Sequence, residues 1–168
     1  MAWWYSRQDG SEGDGMIQLG NAAKTVWVRT RDGDPGVLPI HGRHYSKRHY
    51  RDGRTPHKIV GPGEYIMLIL PDYSALFVWR KFISGDGQDG VNCAVFRNES
   101  GLRSSDLILD AEQWARHKWP RERFYTYINP QKIQSVNPGY CFLCAGWSRC
   151  GQSKGGLVIL EKLWRETA

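Results

Sequence analysis

Between residues 41 and 50 the sequence places His41, His44 and His49 among Tyr45, Ser46 and Tyr50. Imidazole titrates near neutrality and is a common metal ligand, so His44 is the candidate base or iron ligand, with Tyr45 beside it as acid or stacking group. The same residues also suit a solvated loop that faces a polyanion without doing chemistry, and His41 and His49 fit that simpler role better. Residues 43–58 hold Arg43, Lys47, Arg48, Arg51, Arg54 and Lys58 against a single acid, Asp52. Lys47, Arg48, Arg51 and Arg54, mixed with Tyr45 and Tyr50, have the composition of a surface that tracks phosphates and stacks bases. Farther along, Arg97 follows an apolar run directly. Its guanidinium fork suits a carboxylate or phosphate clamp, or else a structural ion pair with Glu99 or Asp106. Tyr140 falls in the first turn of a short apolar helix, as a cleft residue or as part of the core.

The cysteines offer a second chemistry. Cys141, Cys144 and Cys150 form a C-x2-C-x5-C pattern that Cys93 could complete, and zinc would take such a set if it converged tetrahedrally. Cys141 and Cys144 fall among Tyr140, Phe142, Leu143 and Ala145, where buried free thiols are common, and that is the favoured reading. The stretch Met1–Arg7 lacks the basic head, apolar run and cleavage site of a secretory signal. The expectation is therefore a cytoplasmic protein with reduced thiols.

These groups need elements to position them. The chain has 168 residues, 40% hydrophobic and 24% charged, which fits one ordinary domain and argues against a disordered tail. No apolar run is long enough to span a membrane, so a membrane partner is not expected. A formal charge of +6 favours polyanionic partners, because basic side chains that neutralise phosphates release condensed counterions. Residues 1–22 read as an arm, with Trp3, Trp4 and Tyr5 as an anchor or base-stacking group ahead of a glycine-rich mobile segment, and residues 23–168 as one catalytic domain.

Alternation predicts a strand over Lys24–Thr30, ended by turn chemistry at Asp32–Gly36. Leu38–Pro62 shows no periodicity and reads as a long loop, a class that is usually functional or disordered. Glu64–Leu70 and Ser74–Ile83 read as a hairpin, and Val91–Phe96 as the next strand. Leu107, Ile108, Ala111, Trp114 and Ala115 recur at helical spacing from Ser104 or Ser105 to Lys118, with a serine cap and Pro120 beyond the end. Arg123–Ile128 is a strand. Asn137 and Pro138 read as the cap and first turn of a short helix closed by Gly146. Trp147–Cys150 and Gly156–Lys162 form a final hairpin. Trp79, Trp114 and Trp119 are available for stacking a base, although the core is the favoured place for Trp79 and Trp114. The order β-β-β-α-β-α-β-β across residues 64–163 implies an α/β mixed sheet with one parallel crossover, and ligands in such sheets bind at the carboxyl ends of the strands.

Tyr125–Pro130 followed by Asn137–Phe142 and Ala145-Gly146-Trp147 resembles the closing strand and helix of the GNAT acyltransferase superfamily. The closer resemblance is to the Mom family of phage DNA-modifying proteins, carried by His44-Tyr45-Ser46, Phe96-Arg97-Asn98, Asn137-Pro138-Gly139-Tyr140 and Gly146-Trp147. The resemblance implies splayed central parallel strands with the donor between them. It also implies transfer of a carbamoylmethyl or other acyl-type group to the adenine amino group of double-stranded phage DNA, which shields that DNA from restriction.

It makes His44, Tyr45, Arg97, Asn129 and Tyr140 the catalytic candidates, with His44 a possible iron ligand. Arg103, Ser104 and Ser105 would meet the phosphates of acetyl-CoA or a related acyl donor. The chain departs from the pattern in three places. The stretch Arg97–Ser104 holds one glycine and an acid where a pyrophosphate loop is glycine-rich. Phe142 stands where the GNAT general-acid tyrosine would fall. Asn129 stands at or near the Mom-family aspartate, and an amide cannot act as a base. Two alternatives follow: an acetyl-CoA-dependent N-acetyltransferase acting on an amine, and a catalytically silent DNA-binding protein of the same fold. The sequence leaves the oligomeric state open, a homodimer included.

Overall fold

The antiparallel strands β2 (Glu64–Ile69) and β3 (Ala75–Lys81) bury nearly every side chain, because helices cover both faces of the sheet they enter. The structure is a computed structural model describing residues 25–47 and 49–165; Trp3, Trp4, Tyr5 and Arg48 lie outside the described residues. The sheet has seven strands in the order β1-β2-β3-β4-β5-β7-β6. The remaining strands are β1 (Val28–Thr30), β4 (Val91–Asn98), β5 (Phe124–Ile128), β6 (Ser148–Gln152) and β7 (Val158–Lys162). All neighbours pair antiparallel except β4 and β5, which run parallel. This mixed sheet is the α/β class expected from the element order.

Helix α2 (Ser104–Lys118) is the crossover between the two parallel strands. Its expected stripe, Leu107, Ile108, Ala111 and Ala115, packs with Leu68, Phe77, Trp79, Phe124 and Leu160 in the larger core cluster. Burying each large apolar side chain contributes about 1.5–3 kcal/mol. Two tryptophans also tie the helix to the sheet, with Trp27 Nε1 donating to the Leu107 carbonyl at 2.9 Å and Trp79 Nε1 to the Ala111 carbonyl at 2.8 Å. Trp79 and Trp119 are therefore buried core, and Trp114 packs half-buried beside them, so none of the three is placed to stack a base. In the first strand it is Trp27 that turns inward, while Val26 and Val28 are exposed.

Two helices depart from expectation. Helix α1 (Val37–Gly42) lies inside the segment read as an unbroken loop. Its six residues are too few to show periodicity, yet Val37 and Ile40 pack on Met67, Leu76, Val78 and Val95 on the sheet face opposite α2. Pro39 is tolerated because the first-turn N–H groups of a helix lack intrahelical partners. Helix α3 (Tyr140–Cys144) begins two residues later than an Asn137 cap would require. Gly139 occupies the cap position at φ +82°, and Asn137 Oδ1 instead accepts from Arg149 Nη2 at 2.8 Å. A side chain at Gly139 would meet Leu160 at 2.7 Å, so glycine is needed there for space as well as for its backbone conformation. In α2, Ser104 is the first helical residue rather than the cap, which is Arg103 with no side-chain capping bond.

Candidate functional site

The parallel pairing of β4 with β5 is short. It joins Val91–Cys93 to Phe124–Thr126, while β4 runs on to Asn98 and β5 to Ile128. At the same point β4 carries a bulge: Val78 pairs with Val95 and Trp79 with Cys93, which leaves Ala94 as the extra residue. A bulge bends its strand and raises the local twist, so the two strands part where the ladder stops. Thr126 Oγ1 donates to the Cys93 carbonyl at 2.9 Å as the last polar link before the gap.

A cleft of about 230 Å³ occupies this gap. Its walls are Cys93, Ala94 and Phe96 from β4, Thr126, Tyr127 and Ile128 from β5, and Gly139, Tyr140, Cys141 and Phe142 at α3. His44 and Tyr45 stand at the edge contributed by α1. Among the described residues no carboxylate lines it. Cys93 and Cys141 are held as neutral thiols, because burial pushes both above the ordinary cysteine value.

Local hydrogen bonding carries His44 to this place. The turn continues past α1 through Arg43 N–H to the Ile40 carbonyl at 3.2 Å and His44 N–H to the His41 carbonyl at 2.9 Å. Glu99 then fastens that turn to β4: its carboxylate accepts from Arg43 Nη2 at 2.7 Å and from Arg97 Nε, and Arg97 Nη1 donates to the Arg43 carbonyl. Hydrogen bonds from Arg43 and then Arg97 hold the Glu99 carboxyl at about 2. The other end of the segment is fixed by Asp32, which accepts from the amides of Ile59 and Val60 at 2.8 and 3.1 Å.

His44 itself is buried, and desolvation, followed by the nearby His41 and Arg97, lowers its pKa to about 4. Nδ1 accepts the Ser46 backbone N–H at 3.2 Å and lies 2.7 Å from Ser46 Oγ, so the ring proton sits on Nε2 and faces the Phe96 main chain. The imidazole is thus neutral at pH 7 with its orientation set from both sides. Tyr45 stacks on it with ring centroids 4.5 Å apart and directs its hydroxyl toward the Tyr127 carbonyl at 3.4 Å. Burial raises the phenol above its ordinary value and keeps it protonated.

Of the other expected residues, Tyr140 lines the cleft although it is 60% exposed. A hydrogen bond with the Cys144 thiol one turn on raises its phenol pKa. Arg97 does not line the cleft; it makes the ion pair with Glu99 and acts on the site only by holding the turn that carries His44. Asn129 turns back on its own loop, its Oδ1 accepting from the Gln131 N–H at 3.0 Å.

At the start of α2, Asn98 Nδ2 donates to Ser104 Oγ at 2.9 Å while its Oδ1 takes the Ser100 N–H; the Leu102 N–H goes to Ser100 Oγ. Those two amides of the loop that leads to Arg103, Ser104 and Ser105 are thus engaged internally. Lys47 is half-buried and Arg51 exposed, while Arg54 pairs with Asp52 at 3.2 Å.

Neither metal reading finds a donor set. Among the described residues no group of three His, Cys, Asp or Glu side chains converges. An ion at His44 would have to displace one of the contacts on its ring. Cys93 is buried and Cys141 half-buried, as expected for core thiols, but Cys144 and Cys150 are exposed. Among the described residues no helix is long and apolar enough to cross a membrane.

Comparison of the sequence with protein-family models and with curated proteins returned no match. The site therefore rests on its own geometry. That geometry also supplies one residue the sequence did not single out, Thr126, and places Cys93, Cys141 and Phe142, read from the sequence in other roles, on the cleft wall. Cys93 and Thr126 stand at the final paired positions of the strands on either side of the crossover helix, where ligand sites in α/β sheets form.

Proposed function

We propose that this protein is a DNA base-modifying transferase of Mom-like type on a GNAT-like fold, adding a carbamoylmethyl or other acyl-type group to the adenine amino group. One observation carries the reading: two parallel strands part at a bulge, and His44, Tyr45 and Tyr140 reach the same cleft in that gap. In this reading the extruded base enters the cleft, as required for chemistry on an atom otherwise held within the duplex. Phe96 and Phe142 offer apolar surface to it. For an acyl donor, Tyr45, kept protonated by burial, donates a hydrogen bond to the carbonyl oxygen on which charge develops as N6 attacks, the donor's leaving group departs and the amino proton passes to solvent. Neutral His44 fixes the Tyr45 ring by stacking, and Tyr140 closes the open side. The basic 43–58 segment docks the double-stranded DNA.

The internally bonded loop between Asn98 and Ser104 favours a donor other than acetyl-CoA, and it also supports a second reading, a DNA-binding protein that transfers nothing. Expression in a plasmid-bearing bacterium separates the two. A transferase leaves the plasmid resistant to restriction and containing a heavier deoxyadenosine; a silent binder leaves every nucleoside mass unchanged.

A further inference from the structure

The basic segment encloses a second pocket, of about 200 Å³, beyond the end of α1 from the cleft. Its polar lining is His41, Lys47, His49, Tyr50, Arg54 and Thr55. Two cations thus face the concavity, and the charge of one of them, Arg54, is partly met by Asp52. Asp52 pairs with Arg54 at 3.2 Å, and Asp32 accepts two backbone amides. The Arg54 guanidinium also lies over the Tyr50 ring, 4.4 Å from its centroid, which presents a cation and a flat aromatic surface together. His41 is buried on the pocket wall, and burial lowers its pKa, so at neutral pH it is an uncharged hydrogen-bonding group there.

We propose that this pocket seats one phosphodiester of a DNA strand, with Tyr50 against the adjoining nucleoside, while a neighbouring base of the same strand enters the cleft. The inference rests on the functional reading above and assigns the strand its path. His41 lines this pocket and His44 the cleft, three residues apart along one turn in which the His44 N–H donates to the His41 carbonyl at 2.9 Å. The two pockets are therefore neighbours along one turn, as the proposal requires for adjacent nucleotides spaced about 3.4 Å apart when stacked. Lys47 and Arg54 hold the backbone, and the strand then passes over the His44–Tyr45 stack into the gap between β4 and β5.

The test follows the histidine C2–H proton signals of the intact protein during titration with a short single-stranded deoxyoligonucleotide and, separately, with inorganic phosphate. The five histidines make the signals few enough to assign. The oligonucleotide is expected to shift His41 and His49 but not His117. The Lys47→Gln/Arg54→Gln protein is expected to bind the oligonucleotide several-fold more weakly, with the slope of log K against log salt reduced by about 0.7, the share of one phosphate on a single strand. Lys154→Gln, on the turn between β6 and β7, keeps the original slope. Binding that leaves His41 and His49 unmoved overturns the proposal, as does an unchanged slope in the double variant. Shifts caused by inorganic phosphate and not by the oligonucleotide also overturn it, in favour of a small-anion site. Modified plasmid DNA combined with unmoved His41 and His49 removes the pocket and keeps the enzyme; unmodified DNA with both signals shifted keeps the pocket as a DNA site and removes the enzyme.

Discussion

His44 carries a thermodynamic signature that can be measured without substrate. Its ring is 8% exposed, with Nδ1 on Ser46 and Nε2 facing the Phe96 main chain, and its pKa falls from 6.5 to about 4 on folding. Below pH 6.5 the unfolded chain takes up a proton that the folded chain refuses. Stability therefore falls as pH falls from 6.5 to about 4 and levels off below that. A fall from 6.5 to about 4 corresponds to about 3 kcal/mol, a large fraction of the stability of an ordinary domain. Lowering of the His41 and Glu99 values weakens the fold on acidification in the same direction, so wild type must be compared with His44→Gln, in which those contributions persist. Urea unfolding followed by tryptophan fluorescence at several pH values between 7.5 and 4 gives both curves. Wild type is expected to lose about 3 kcal/mol more than His44→Gln across that range. Parallel curves, or a His44 NMR titration centred near 6.5, would refute the buried, neutral imidazole.

Three further outcomes are expected. Glu112 is 2% exposed and accepts from Trp147 Nε1 at 2.7 Å and Lys162 Nζ at 2.7 Å; Glu112→Ala leaves the buried Trp147 N–H and the partly exposed Lys162 ammonium without their acceptor and costs about 1–3 kcal/mol in denaturant unfolding. Removing both charges, as Glu112→Leu/Lys162→Met, recovers only part of that loss, because Trp147 Nε1 and Arg116 still lose their acceptor. Gly139→Ala puts an L side chain at φ +82° and against Leu160, costing about 1–2 kcal/mol for the left-handed backbone alone, and modification falls further because Tyr140 follows directly. Glu99→Gln releases Arg43 and Arg97 from their shared partner. Its Tm is expected to change little while modification drops several-fold, since what loosens is the turn that carries His44.

The sheet was legible from local patterns. The hairpins, the crossover helix and the closing strands each carry an alternating or helical apolar signal, and their order alone implied the parallel pair. Elements whose partners are distant in sequence were not legible. Helix α1 is a single short turn stabilised by Val95 and Leu76, and nothing adjacent to Val37 or Ile40 announces those contacts. The bulge at Ala94 depends on the register against β3, which no local signal in β4 encodes. Among site residues, His44, Tyr45 and Tyr140 do reach one cleft. Arg97 was placed near it by strand position and the Mom-family resemblance, and Asn129 by the resemblance; a carboxylate two residues from Arg97 and an amide two residues beyond Asn129 turn those side chains elsewhere.

Nucleoside mass spectrometry of plasmid DNA from cells producing wild type, His44→Ala, Tyr140→Phe or Lys154→Gln decides whether the gap between β4 and β5 is where transfer happens. Wild type and Lys154→Gln should yield the modified deoxyadenosine, whereas the two cleft variants, folded by circular dichroism, should yield none. Modified nucleoside at wild-type levels in both cleft variants would place the chemistry elsewhere on the molecule.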